Sequence, residues 1–91
     1  MAEADNATRP LRLIVQQVRL PSESFSYRLI VYGHGCVYSR SHFDSLERLR
    51  EVVRSVIPEL ELPDKGGTDS QILLTRDLDL SDRQLGLLGV L

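Results

Sequence analysis

Apolar and polar residues alternate in short runs over the first third of the chain, switch to a helical spacing, and then alternate again. Leu11, Leu13 and Val15 fall on one face of an extended segment, because strand side chains point to opposite faces in turn. By Val18 and Leu20 the apolar residues occupy even positions instead. That switch predicts a bulge near Gln16-Gln17, since one inserted residue reverses the face each later side chain meets. Pro21-Ser22-Glu23-Ser24 reads as a turn. From about Phe25 to Tyr32 a second strand sets Phe25, Tyr27, Leu29 and Val31 against Ser26, Arg28 and Ile30. Gly33-His34-Gly35 is a hairpin signal, because glycine accepts the positive φ of tight hairpin loops. Cys36-Val37-Tyr38 then returns as a short third strand, giving a β-meander.

The period changes after Arg40. Phe43, Leu46, Leu49, Val53, Val56 and Ile57 line one face of a helix. Ser41 with Asp44 three residues on predicts its capping, and Pro58 ends it because a proline disfavours helical geometry in the residue before it. Asp44/Arg48, Glu47/Arg50 and Glu51/Arg54 are spaced for surface pairing. Pro63 to Ser70 is loop, and Gln71 to Leu78 is a fourth strand that pairs with the meander. Ser81-Asp82-Arg83-Gln84 is a capping box that starts a short helix through about Leu88. The order β-β-β-α-β-α predicts an α+β domain. A three- to four-stranded antiparallel sheet is packed on one face by one main helix and a short C-terminal helix. Residues 1–9, ending at Arg9, read as a flexible leader, and 10–91 as a single domain.

Composition narrows the function classes more than it selects one. The 91 residues are 42% hydrophobic with three Tyr, two Phe and no Trp, so aliphatic side chains must fill one small core. The formal net charge of -2 creates no general attraction to nucleic acid or an anionic membrane, and a nucleic-acid partner is not expected. The charge is uneven: residues 1–58 hold eight Arg and six acids, whereas residues 59–91 hold three bases and seven acids. No apolar run approaches the ~20 residues of a membrane span. Met1-Ala2-Glu3-Ala4-Asp5-Asn6 lacks the basic start and apolar run of a signal peptide, and Cys36 is the one cysteine. A soluble, cytoplasmic protein is the expectation.

Candidate chemistry is sparse. His34, Cys36 and His42 are the residues that could ligate a metal or pair as nucleophile and base, but their spacing matches no standard zinc site. Asp77, Asp79 and Asp82 are the densest carboxylates, yet a calcium loop also needs a central glycine and a terminal glutamate. Lys65-Gly66-Gly67-Thr68 holds the parts of a phosphate loop in the wrong order, leaving anion binding by glycine amides. Arg48, Arg50 and Arg54 are interrupted by Glu47 and Glu51, as on a solvated helix face. The chain is read as non-enzymatic and without a cofactor.

Ser39-Arg40-Ser41-His42-Phe43 after three strands, then a helix and Pro58-Glu59-Leu60-Glu61-Leu62-Pro63-Asp64-Lys65, resembles the phosphoinositide-binding Phox-homology domain over residues 27–65. That family carries an arginine-rich turn before an aromatic residue, then a helix and a Pro-rich loop. The resemblance implies Arg40 as the contact to a lipid phosphate. The chain lacks the family's doubled arginine and its helix-to-proline spacing is long, so the family's function is not carried over.

The last fourteen residues are the most apolar part of the chain, with Leu78, Leu80, Leu85, Leu87, Leu88, Val90 and Leu91. Chain ends are usually frayed and polar, so something must cover this one. Leu87-Leu88 and Val90-Leu91 cannot all face the same way on a helix, which leaves apolar groups for a partner. Leu85, Leu87, Leu88, Val90 and Leu91 are therefore the candidate interaction residues. The expectation is a protein-interaction or self-association module, a homodimer or other homo-oligomer, or a partner of another protein. The alternatives are a ligand, anion or metal site at the Gly33–Cys36 turn and the Lys65–Thr68 loop, and a weak nucleic-acid or phosphoinositide module using Arg40, Arg48 and Arg54.

Overall fold

The computed structural model describes residues 7–91. The alternating runs form four strands, β1 (Thr8–Arg19), β2 (Phe25–Gly33), β3 (Cys36–Phe43) and β4 (Gln71–Ser81). Two helices complete the fold, α1 (Leu46–Val56) and α2 (Asp82–Leu88). The order is β-β-β-α-β-α, and the sheet is antiparallel throughout with spatial order β3-β2-β1-β4. The meander thus fills one half, and β4 returns on the far side of β1. Of the residues read as a leader, 1–6 lie outside the described ones, while Thr8 and Arg9 pair with Ser81 and Leu80.

One face of the sheet is apolar because the odd positions of β1 and β2 point the same way. Leu11, Leu13, Val15, Leu29 and Val31 are buried there, together with Leu80 from β4 and Phe43 from the end of β3. Leu46, Leu49 and Val53 of α1 and Ile57 at its C-cap close over them. Leu85 and Leu88 of α2, followed by Val90, fill the remaining space. Each fully buried aliphatic side chain contributes about 1.5–3 kcal/mol of transfer free energy, so this single layer dominates stability.

Four local expectations are corrected. β1 has no bulge at Gln16-Gln17: it pairs with β2 without interruption from Arg12↔Tyr32 to Arg19↔Phe25. Gln17 instead takes the core-facing position at 1% exposure, and Val18 stays on the open face. The extra residue belongs to β4, where Leu73 is squeezed out between the Val15↔Leu74 and Gln16↔Ile72 pairs. α1 is capped by Ser45, whose Oγ accepts from the Arg48 N–H at 3.1 Å, not by Ser41, which remains in β3. β3 therefore runs on to Phe43, which is a strand residue and not a helical one. The helix-surface charges pair as Arg48–Glu51 at 3.4 Å and Arg50–Asp64 at 3.0 Å, unlike any of the expected pairs.

α2 starts and stops by local chemistry. Ser81 Oγ accepts from the Gln84 N–H and the Gln84 side chain accepts from the Ser81 N–H, a complete capping box. Gly89 ends the helix in the left-handed region at φ 82, and its N–H reaches the carbonyls of Gly86 and Leu85. Arg40 of β3 supports this end: its guanidinium donates to the Leu88 carbonyl at 3.2 Å and lies 4.6 Å from the centre of the Phe43 ring. A cation there complements the negative end of the helix. At the other end Arg9 donates to Asp82 at 2.8 Å and to the Tyr38 hydroxyl at 3.1 Å, joining β1, β3 and α2.

The two glycines of this segment are expected to respond oppositely to alanine. A Cβ on Gly86 meets nothing within 4 Å, so Gly86→Ala should raise urea-unfolding stability by about 1 kcal/mol through helix propensity. On Gly89 it would lie 2.7 Å from Arg40 Nη1 at a positive φ, and Gly89→Ala should lower stability by about 1–2 kcal/mol. Equal effects at both positions would contradict the packing of this turn.

Candidate functional site

The residues with ligating chemistry do not converge. The β2–β3 loop is His34-Gly35, with φ 52 and 76, the left-handed pair of a type I′ hairpin. His34 and Cys36 are exposed at this tip, whereas His42 is at the far end of β3. His42 is six positions along the strand from Cys36, roughly 20 Å at the rise of an extended chain. His42 is held at φ 67 in a bulge where Ser41 and His42 together oppose Arg28. Among the described residues no group of three His, Cys, Asp or Glu side chains is placed to hold a metal ion.

The carboxylates are dispersed too. Asp77 lies on the open face beside Arg12, whose Nε donates to it at 2.7 Å. That hydrogen bond holds the Asp77 carboxyl below its ordinary value. Asp82 faces Arg9, and Asp79 lies across from Pro10. The arginines are likewise committed: Arg40 to the end of α2, Arg48 to Glu51, Arg50 to Asp64. Arg50 and Arg54 do line a groove of about 490 Å³ between α1 and residues 58–64. Glu61 and Asp64 line it as well, so its formal charge cancels.

The Lys65–Thr68 loop has a structural anchor that the sequence reading did not identify. Gln17, buried at the end of the core face, donates through Nε2 to the Gly67 carbonyl at 3.1 Å and the Asp69 carbonyl at 2.7 Å. Gly66 passes so close that a Cβ would collide with Gln17 Oε1. The signal was present as a glutamine on the core-facing parity of β1, but the apolar Val18 and Leu20 drew the face assignment the other way.

The leucine-rich tail divides. Leu85 and Leu88 are fully buried and Val90 nearly so, which completes the core. Leu87 and Leu91 remain 59% and 62% exposed. They flank the turn that the Arg40 side chain supports. Among the described residues Val37 of β3 is the most exposed large apolar one, at 73%. No strand among the described residues pairs with the outer side of β3. The hairpin fixes which backbone groups are free there. Gly33 and Cys36 close a two-residue loop and so exchange both hydrogen bonds. Alternation then turns the groups of Tyr38 and Arg40 toward β2, and those of Val37 and Ser39 outward. The unpaired edge thus carries an exposed valine on the open face of the sheet, and the two exposed leucines lie in the helical layer on the other face.

Gln17→Leu removes the donor for two loop carbonyls. It should cost about 1–3 kcal/mol and speed amide exchange across residues 63–70, while exchange in β2 stays slow. Unchanged exchange in the loop would show that Gln17 does not hold it. Compared with known proteins, the chain matches no protein-family model, no curated protein and no solved structure, so its surface is interpreted from its own geometry.

Proposed function

We propose that this chain is a non-catalytic protein-interaction module that receives an extended strand along the β3 edge. The observation that carries the reading is that this edge is unpaired among the described residues and bears Val37, the most exposed large apolar residue among them. Strand addition satisfies the outward N–H and C=O groups of Val37 and Ser39 and supplies affinity through the main chain. The exposed Val37 side chain then gives the contact an apolar flank.

The rest of the surface is less suited to this. On the open face of the sheet, Ile14, Ile30 and Tyr32 are half-buried among neighbouring side chains, and the Arg12–Asp77 pair crosses its β1–β4 side. Along β4, the other edge, Arg76, Asp77 and Asp79 follow the Leu73 bulge, two features that discourage strand addition.

A proline at Ser39 tests the reading, because it removes an outward N–H without touching the β2–β3 ladder. The Ser39→Pro chain should keep the far-ultraviolet circular dichroism of the wild type. When each is immobilised and exposed to the soluble proteins of its own cells, the variant should retain at least tenfold less of whatever the wild type retains. Equal retention by the two chains would refute edge binding.

A further inference from the structure

We infer that the strand added to β3 is β3 of a second copy, paired antiparallel about Ser39 to give a continuous eight-stranded sheet. This rests on the edge-binding reading above and names its partner. The argument is one of register. A two-fold axis perpendicular to the sheet keeps both helical layers on the same side, so each residue must face one of its own parity. With the axis at Ser39, the two Ser39 residues exchange both backbone hydrogen bonds, using the groups that the hairpin turns outward. Val37 then faces Ser41 of the second copy on the open side of the sheet, and Tyr38 faces its Arg40 on the helical side. Nowhere in the overlap from Val37 to Ser41 do like charges face each other.

Other registers are worse for stated reasons. An axis at Arg40 sets two arginines directly opposite, and axes at Val37 or Tyr38 shorten the overlap. For β4, axes at Arg76, Asp77 or Asp79 oppose a charge to itself, and one at Leu78 opposes Asp77 to Asp79. Axes at Leu74 or Thr75 put the Leu73 bulge within two residues of the axis, whereas with the axis at Ser39 the Ser41–His42 bulge of β3 falls at the ends of the overlap. The end of α2 rests on Arg40 in the helical layer, and Leu87 and Leu91 are exposed on either side of that turn. A strand edge is a small contact, in the class below ~1,200 Å² that associates reversibly.

The test is site-specific cross-linking on the full chain in a Cys36→Ser background, which removes the natural thiol. Directly opposed residues in a hydrogen-bonded antiparallel pair have Cα atoms about 5.5 Å apart, within disulfide reach. Adding Ser39→Cys should therefore give a disulfide-linked dimer on mild oxidation. Adding Val37→Cys instead should give at least tenfold less, because in this register the two Val37 residues lie four positions apart along the seam. Light scattering over a concentration series should show a reversible rise toward twice the monomer mass, abolished by Ser39→Pro. Efficient cross-linking at Val37 but not Ser39 would overturn the register. A chain monomeric at every concentration would overturn self-pairing, and edge binding would still stand if Ser39→Pro loses a different retained protein. If nothing retained depends on Ser39, both readings fall together.

Discussion

The fold depends on β1 being paired on both sides. Among the described strands it lies between β2 and β4, and its inward side chains Leu11, Leu13 and Val15 are almost wholly removed from water. Because strand side chains alternate strictly, fixing β1 in register with Leu29 and Val31 of β2 also fixes which residues remain outside. The same register carries Gln17 inward, where no apolar neighbour could satisfy its amide. The 63–70 loop accepts from its Nε2 with two carbonyls, leaving Oε1 without a partner, and Gly66 is the residue that lets the backbone come close enough. A polar residue at the end of an apolar row thereby sets the path of a loop fifty positions away.

The arginines play a comparable part on the other side of the core. Arg9 ties Asp82 and Tyr38 together, while Arg40 lies under the last turn of α2 with its stem against Gly89. Both are half-buried and both spend their donors inside the molecule. A basic residue used in this way cannot also greet a phosphate at no cost, since the Leu88 carbonyl would lose its partner. Arg40, the one residue that the Phox-homology resemblance singles out, is therefore a supporting side chain of α2 in this fold.

Much of the architecture was legible from the sequence, because hydrophobic period and capping chemistry act locally. The I′ loop at His34-Gly35, the Ser81 capping box and the helix stop before Pro58 each follow from a few adjacent residues. The errors arose where two local signals competed. Ser41 and Ser45 both offered a cap, and only the continuation of β3 to Phe43 decided between them. Val18 and Leu20 mimicked a change of face, but the unbroken ladder with β2 outweighed them, leaving Leu20 38% exposed. The division of the tail into buried Leu85, Leu88 and Val90 and exposed Leu87 and Leu91 depends on where the last turn docks. Tertiary contacts alone determine that.

The two edges of the sheet are unlike, and the difference bears on what the surface is for. An exposed edge invites unwanted pairing, and proteins commonly blunt it with charges, bulges or short strands. β4 carries three charges in a row of four residues and a bulge near its start, so its eleven residues are well defended. β3 has neither defence over Val37, Tyr38 and Ser39, and its single bulge is displaced to Ser41 and His42. A chain that protects the longer edge and leaves the shorter one open, with an exposed valine on it, has an asymmetry that folding does not require. Core packing would be equally satisfied by a lysine at Val37, because that residue is not buried. The apolar identity of this position therefore makes physical sense as part of a contact, one formed along the strand that still has hydrogen bonds to give.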